Sequence, residues 1–209
     1  VLEVHWEISG CYLARPLRFD DLPKSPGPVL LQDHPVLNLS REAMLTYLCI
    51  HGAKDVWDNL EQVMAVSELI GKKESLDWAV SASLAQRWGC VRIQRLGLHL
   101  ASELFCSPVP KNIMEKIQND KALLRFSEGI KRRLTLDAAK RQNQTAAGRF
   151  SWFHIRFRDS LTEMPRYAAR LAFRPTEQEW RIFPVPARLA FVHWFLRPLR
   201  LIKSGFSGK

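Results

Sequence analysis

Residues 1–8 alternate strictly, with Leu2, Val4, Trp6 and Ile8 on one side and Glu3, His5 and Glu7 on the other. That period of two predicts a β-strand with one buried face. The pattern then lapses, because Pro16, Pro23, Pro26, Gly27, Pro28 and Pro35 crowd the stretch 16–39. Such a density excludes regular helix or a central strand and reads as a long connector. From Ser40, a good N-cap, the spacing becomes helical. Met44, Leu45, Leu48, Cys49 and Gly52 predict a helix over 41–54. Trp57, Leu60, Met64 and Ser67 mark a second that stops near Gly71, and Leu76, Val80, Leu84 and Trp88 a third ended by Gly89. Ile93, Leu96, Leu100 and Leu104 mark a fourth, ended before Pro108. Short loops join them, so residues 41–106 are expected to form a four-helix unit with Leu48, Leu60, Leu84, Trp88, Leu96 and Leu100 buried. A fifth helical stretch over 112–134 carries Ile113, Ile117, Leu124, Ile130 and Leu134 and is broken near Asn119.

The remaining third is less regular. Residues 135–148 are polar, and 150–173 mix aromatics and arginines in a helical rhythm with Pro165 at a joint. Residues 187–202 predict a last helix whose apolar face is Leu189, Val192, Phe195, Leu196 and Leu199, bent or ended at Pro198. The length of 209 residues and an apolar content of 46% suit a compact domain and argue against a disordered or fibrous chain. No apolar run reaches the roughly 18 residues of a spanning helix. Residues 1–8 lack the form of a secretory signal, and because Val1 is not Met the chain is expected to begin within a longer protein. Cys11, Cys49, Cys90 and Cys106 are widely spaced without a C-x-x-C pair, which reads as reduced thiols and a cytoplasmic protein. Charge is uneven: residues 1–110 hold 10 basic and 13 acidic side chains, residues 111–209 hold 21 and 8. The basic part suits nucleic acid, an anionic lipid surface or a phosphate-bearing substrate.

Several groups of residues carry possible chemistry. Glu3, His5 and Glu7 follow one another at about 7 Å along one strand face, which is half of a divalent-metal site or simply the wet face of the strand. His51 and Asp55, four apart on a helix, suit a shared ligand or a structural pair. His34, His99, His154 and His193 lack metal-binding spacing. Gly71-Lys72 lacks the earlier glycine of a phosphate loop. Residues 149–158, RFSWFHIRFR, interleave three arginines with four aromatics, a composition that stacks on bases, sits at lipid headgroups, or forms a core stripe beside a basic surface.

The order Leu2-Glu3-Val4-His5-Trp6, a Pro-rich crossing, Leu48-Cys49-Ile50-His51-Gly52-Ala53-Lys54 with Trp57 and Leu60, then Leu76-Asp77-Trp78, resembles the uncharacterised bacterial nucleotidyltransferase family with a DNA polymerase beta-like core. Looser similarity runs through Pro108-Val109-Pro110, Pro175-Thr176, Trp180 and Arg197-Pro198-Leu199-Arg200. In such enzymes a Gly-Ser turn holds phosphates, an Asp-x-Asp pair holds two metals, and a later strand adds a third carboxylate. The resemblance assigns that carboxylate to Glu3, as a catalytic metal ligand, with His5 orienting it or contacting the acceptor. It implies two Mg²⁺ ions, an NTP substrate, and in-line attack of an acceptor oxygen on the alpha-phosphate. The chain has neither Gly-Ser nor Asp-x-Asp, so that site is not complete within residues 1–209. Asp55 stands where the family tends to have a second histidine, and Ala65 where it tends to have an aspartate.

The resemblance implies a mainly α fold: a helical bundle with a short N-terminal β-strand left over from an α/β nucleotidyltransferase core. Residues 1–39 would hold the end of that core and the connector, 40–134 the bundle, and 135–209 a basic helical region. The functional expectation is the C-terminal portion of a nucleotidyltransferase. Its alternative is a non-catalytic basic helical module that binds nucleic acid or an anionic membrane surface through residues 111–209.

Overall fold

The computed structural model describes residues 22–25, 27–72, 76–135, 173, 192–196 and 198. The chain divides into two compact units, Val1–Asp159 and Ser160–Lys209. The expected strand over 1–8 and the segments 135–148 and 149–158 lie outside the described residues, apart from Thr135. So does most of the expected helical stretches over 150–173 and 187–202. In the second unit, residues 192–196 form a short helical stretch with His193 buried and Trp194 and Phe195 exposed. Phe195 thus leaves the expected apolar face, because the covered side of this turn is Val192, His193 and Leu196.

The first unit is mainly helical with a small antiparallel ribbon. β1 (Val29–Leu31) pairs with β2 (His34–Val36) in the register Val29 to Val36, Leu30 to Pro35 and Leu31 to His34. The proline-rich stretch is therefore more than a connector. Gln32 and Asp33 both have positive φ, 48° and 64°, the backbone of a two-residue turn whose twist suits a hairpin. Pro35 is tolerated because it sits in a pair that exchanges no hydrogen bond with β1. At the base, Ser25 N–H donates to Asn38 O and Ser40 N–H to Pro23 O, each at 2.8 Å, which closes the arm just before the first helix.

Among the described residues of this unit six helices follow: α1 (Arg41–Lys54), α2 (Leu60–Gly71), α3 (Trp78–Trp88), α4 (Val91–Phe105), α5 (Lys111–Gln118) and α6 (Lys121–Leu134). Their starts are set by side-chain caps. Ser40 Oγ accepts from Ala43 N–H at 3.2 Å, and Asp77 Oδ1 accepts from Ala79 and Val80 N–H at 2.9 and 3.0 Å. Gly89, at φ 65°, ends α3 as its spacing predicts. The helical pattern over 112–134 does break near Asn119, into α5 and α6.

α4 is the axis of the unit and touches α1, α2, α3, α5 and α6. It is accordingly buried nearly all round, with Ile93, Leu96, Leu98 and Leu100 at 2% exposure or less. One of its two buried polar side chains is given partners: Gln94 Nε2 donates to Thr46 Oγ1 of α1 and Ser81 Oγ of α3, both at 2.9 Å. Of the six expected core residues, Leu84, Trp88, Leu96 and Leu100 are buried and Leu48 is half-buried. Leu60 is exposed, as are Met64 and Val80. The covered stripe of α2 is Val63, Val66, Leu69 and Ile70.

The reason lies just before α2. Val56 and Trp57 both adopt left-handed backbone, φ 57° and 53°, so Trp57 does not lead the α2 stripe but turns back into the bundle. Its fully buried indole fills a slot that exists only because two positions lack side chains. A Cβ on Gly52 of α1 would lie 2.5 Å from the ring, and one on Gly97 of α4 would lie 2.7 Å from Cys49 Sγ and 2.9 Å from the ring. Overpacking of this kind costs about 1–3 kcal/mol. Gly52→Ala is therefore expected to lower the urea midpoint clearly. Gly129→Ala on α6, where an added Cβ meets nothing within 4 Å, is expected to raise stability by about 0.5–1 kcal/mol. Equal signs for the two variants would rule out the slot.

Candidate functional site

The expected site residues Glu3, His5 and Glu7 lie outside the described residues. Within them, chemistry gathers at the C-terminal end of α1. Tyr47, His51 and Lys54 recur at i, i+4 and i+7 and so share one side of the helix, each half-buried. The Tyr47 and His51 rings stack with centroids 6.0 Å apart and planes 26° apart. Burial raises the Tyr47 hydroxyl above its ordinary value. His51 and Lys54 occupy the last turn, where the charge of Lys54 suits the negative end of the helix.

His51 and Asp55 form no mutual pair. Asp55 is the C-cap of α1 and accepts from Gln62 Nε2 of α2 at 3.0 Å, while His51 is engaged with Tyr47. The intervening carbonyls face different partners because the helix ends at Asp55 and the chain turns left-handed at Val56. That turn is fastened from three directions. Val56 N–H donates to Ala53 O at 3.1 Å, Trp57 N–H to Gly52 O at 2.7 Å, and Arg133 Nη2 of α6 donates to Val56 O at 2.5 Å. The arrangement offers a stacked phenol and imidazole with an ammonium one turn on, a surface able to stack on a planar ring and neutralise a phosphate. Spacing alone could have found the Tyr47, His51, Lys54 row. Arg133 lies 77 residues from Val56 and had no local signal.

A second polar group joins α4 to α6. Arg92 forms a two-pronged pair with Asp120, Nε to Oδ2 at 2.9 Å and Nη2 to Oδ1 at 3.1 Å. Lys131 bridges Glu103 at 3.2 Å and Glu128 at 2.6 Å. In both cross-helix pairs the partners are 28 residues apart, so α4 and α6 run parallel in one register. His99 and Ser127 stand at the same offset of 28 along α4 and α6, and both are buried. His99 Nδ1 and Ser127 Oγ have no hydrogen-bond partner among the described residues. Burial would raise the Asp120 carboxyl, but the Leu123 N–H and the Arg92 guanidinium outweigh it and hold it below the usual range. Burial lowers the His99 imidazole below its ordinary 6.5; Glu103 and Glu128 oppose the shift and Lys131 adds to it.

No group of three His, Cys, Asp or Glu side chains among the described residues is placed to hold a metal ion. No described helix is long and apolar enough to cross a membrane. The model of an uncharacterised nucleotidyltransferase family matches residues 1–106, which takes in the hairpin, α1 to α4 and the Tyr47, His51, Lys54 row. No curated protein and no solved structure matches the chain.

The His99 shift has a defined consequence for stability. Its folded value lies below 6.5, so the unfolded chain binds more protons as pH falls past that point. The stability present above pH 6.5 is then lost as pH drops towards the folded value. The urea midpoint of the wild type is expected to fall between neutral pH and about pH 5 by more than that of His99→Gln. Identical declines in the two proteins would remove His99 as the titrating group.

Proposed function

Because the chain belongs to an uncharacterised nucleotidyltransferase family, we propose that it is the C-terminal portion of an enzyme that moves a nucleotidyl group from an NTP to an acceptor. The single observation that carries the reading is the family match over residues 1–106. Glu3 is the proposed catalytic carboxylate and ligand of Mg²⁺, and His5 the residue that orients it or meets the acceptor. Bound Mg²⁺ supplies charge neutralisation on the phosphates. In this reading the described helices have a different part. They wall the acceptor site, with the Tyr47, His51, Lys54 row as the surface that holds a ring and an anionic group. A cytoplasmic setting agrees with the free thiols of Cys49 and Cys106.

A second reading, binding of a nucleic acid, is favoured by one observation. Lys121, Arg125 and Arg132 are exposed along one side of α6, and the acidic residue among them, Glu128, is paired with Lys131. Phosphate contacts release counterions, so each contact adds to the salt dependence of binding.

The two readings part cleanly in experiment. Residues 1–209 contain no Gly-Ser and no Asp-x-Asp, so the chain alone is expected to transfer no labelled nucleotide. A protein that carries these residues together with such a core is expected to incorporate nucleotide into a cell-extract acceptor pool in the presence of Mg²⁺. Glu3→Gln in it should lower turnover by at least on the order of tenfold with little change in nucleotide affinity. Equal incorporation by wild type and Glu3→Gln would remove Glu3 from the reaction. For the second reading, replacing both Arg125 and Arg132 by Ala should reduce the slope of log K against log salt for a DNA duplex by about 1.8. An unchanged slope would dismiss the α6 stripe.

A further inference from the structure

The β1–β2 hairpin is an arm with no role in the bundle. Every residue from 27 to 37 is exposed, and the aliphatic side chains Val29, Leu30, Leu31, Val36 and Leu37 are among the most exposed apolar groups described, Leu30 and Leu31 at 66% and 67%. Together they present on the order of 400 Å² of apolar side chain, the size at which an exposed patch marks an interaction surface. Scattered exposed leucines need no explanation, but five on an eleven-residue arm do.

The two edges of this ribbon are not equivalent. The pairs Val29 to Val36 and Leu31 to His34 flank the two-residue turn in the alternation that exchanges hydrogen bonds across the hairpin. Leu30 and Pro35 form the pair between them that exchanges none, so their backbone groups face outward. On the β2 side that outward position is Pro35, which has no N–H to give, and the edge is blunted. On the β1 side it is Leu30, whose N–H and C=O are both available and have no partner among the described residues. The arm therefore has one closed edge and one open edge, and the open edge is the apolar one.

Charge points to the occupant. The chain carries a formal net charge of +10, yet between residues 25 and 40 the sole formally charged side chain is Asp33, at the turn. Two copies of the chain repel one another least where these neutral arms meet. A two-fold axis through Leu30 makes β1 its own complement: Leu30 of each copy exchanges N–H to C=O bonds with Leu30 of the other, and Val29 lies opposite Leu31 of the second copy on both sides. We infer that the chain self-associates through antiparallel pairing of β1 with β1 of a second copy, forming a four-stranded ribbon β2-β1-β1-β2. The combined apolar area of roughly 800 Å² lies below that of a standard stable interface, so the association is weak and reversible.

The inference does not depend on the enzymatic reading, and its test uses neither nucleotide nor metal. Sedimentation equilibrium of the 209-residue chain, from about 1 to about 200 µM, should show a monomer–dimer equilibrium with a Kd on the order of tens of micromolar. Leu30→Pro removes the N–H that the pairing needs, and Leu30→Lys places a charge on the open edge, so each should weaken the dimer at least about tenfold. Because the arm stands outside the core, both variants should keep the wild-type helical circular dichroism and urea midpoint. A monomer throughout the concentration range overturns the inference, and so does a dimer whose Kd neither substitution changes.

Discussion

The seating of the Trp57 indole between Gly52 and Gly97 governs much of the rest of the unit. It sets how closely α1 and α4 approach, since the space a Cβ would need on either helix is taken by the ring or by Cys49 Sγ. It also requires the chain to leave α1 through two consecutive left-handed residues, a conformation that costs on the order of 1–3 kcal/mol for each side chain that is not glycine. Burying this indole, the largest fully buried side chain among the described residues, offsets that cost. The turn then fixes which stripe of α2 meets the core and where Lys54 and Asp55 come to rest. The surface at the end of α1 is thus an outcome of packing two helices away from it.

A polar counterpart keeps α4 from sliding. Gln94 ties it to α1 and α3 inside the core, and the paired charges at the two ends of its contact with α6 hold one register over the length of both helices. Exposed ion pairs contribute little to stability. Here they specify alignment, since a slip of α6 by one turn would part Arg92 from Asp120 and Lys131 from Glu103 together. The same register brings buried His99 of α4 and buried Ser127 of α6 to equivalent positions along the contact, with Glu103, Glu128 and Lys131 close enough to act on the imidazole.

Helix positions were legible because period and punctuation agreed. The α1 bounds follow from Ser40 and the apolar spacing, the end of α3 from Gly89, and the break between α5 and α6 from the weakened pattern at Asn119. What spacing leaves open is which of two neighbouring stripes faces inward. Trp57, Leu60 and Met64 fit helical periodicity as well as Val63, Val66 and Ile70, and a non-local slot decided between them. The hairpin escaped notice because Gln32-Asp33 is not the usual composition of its turn and because prolines argue against strands unless one edge is known to be free. The family was legible in short motifs that span the hairpin and α1 to α3. The carboxylate assigned from it, Glu3, precedes the described residues, and the Tyr47 ring against His51 required a view of the folded helix surface.

The clasp from Arg133 to the Val56 carbonyl has a bearing on how the protein is made. Translation delivers the chain from its N-terminal side at about 5–20 residues per second. The Val56 turn therefore leaves the ribosome some seconds ahead of the arginine that fastens it, 77 residues later. In that interval Trp57 can enter its slot only once Gly97 has also been delivered, and a nascent chain stopped between these points holds α1 with its end unsecured. The surface at the end of α1 is completed late in synthesis, by a helix that belongs to none of the segment the family shares.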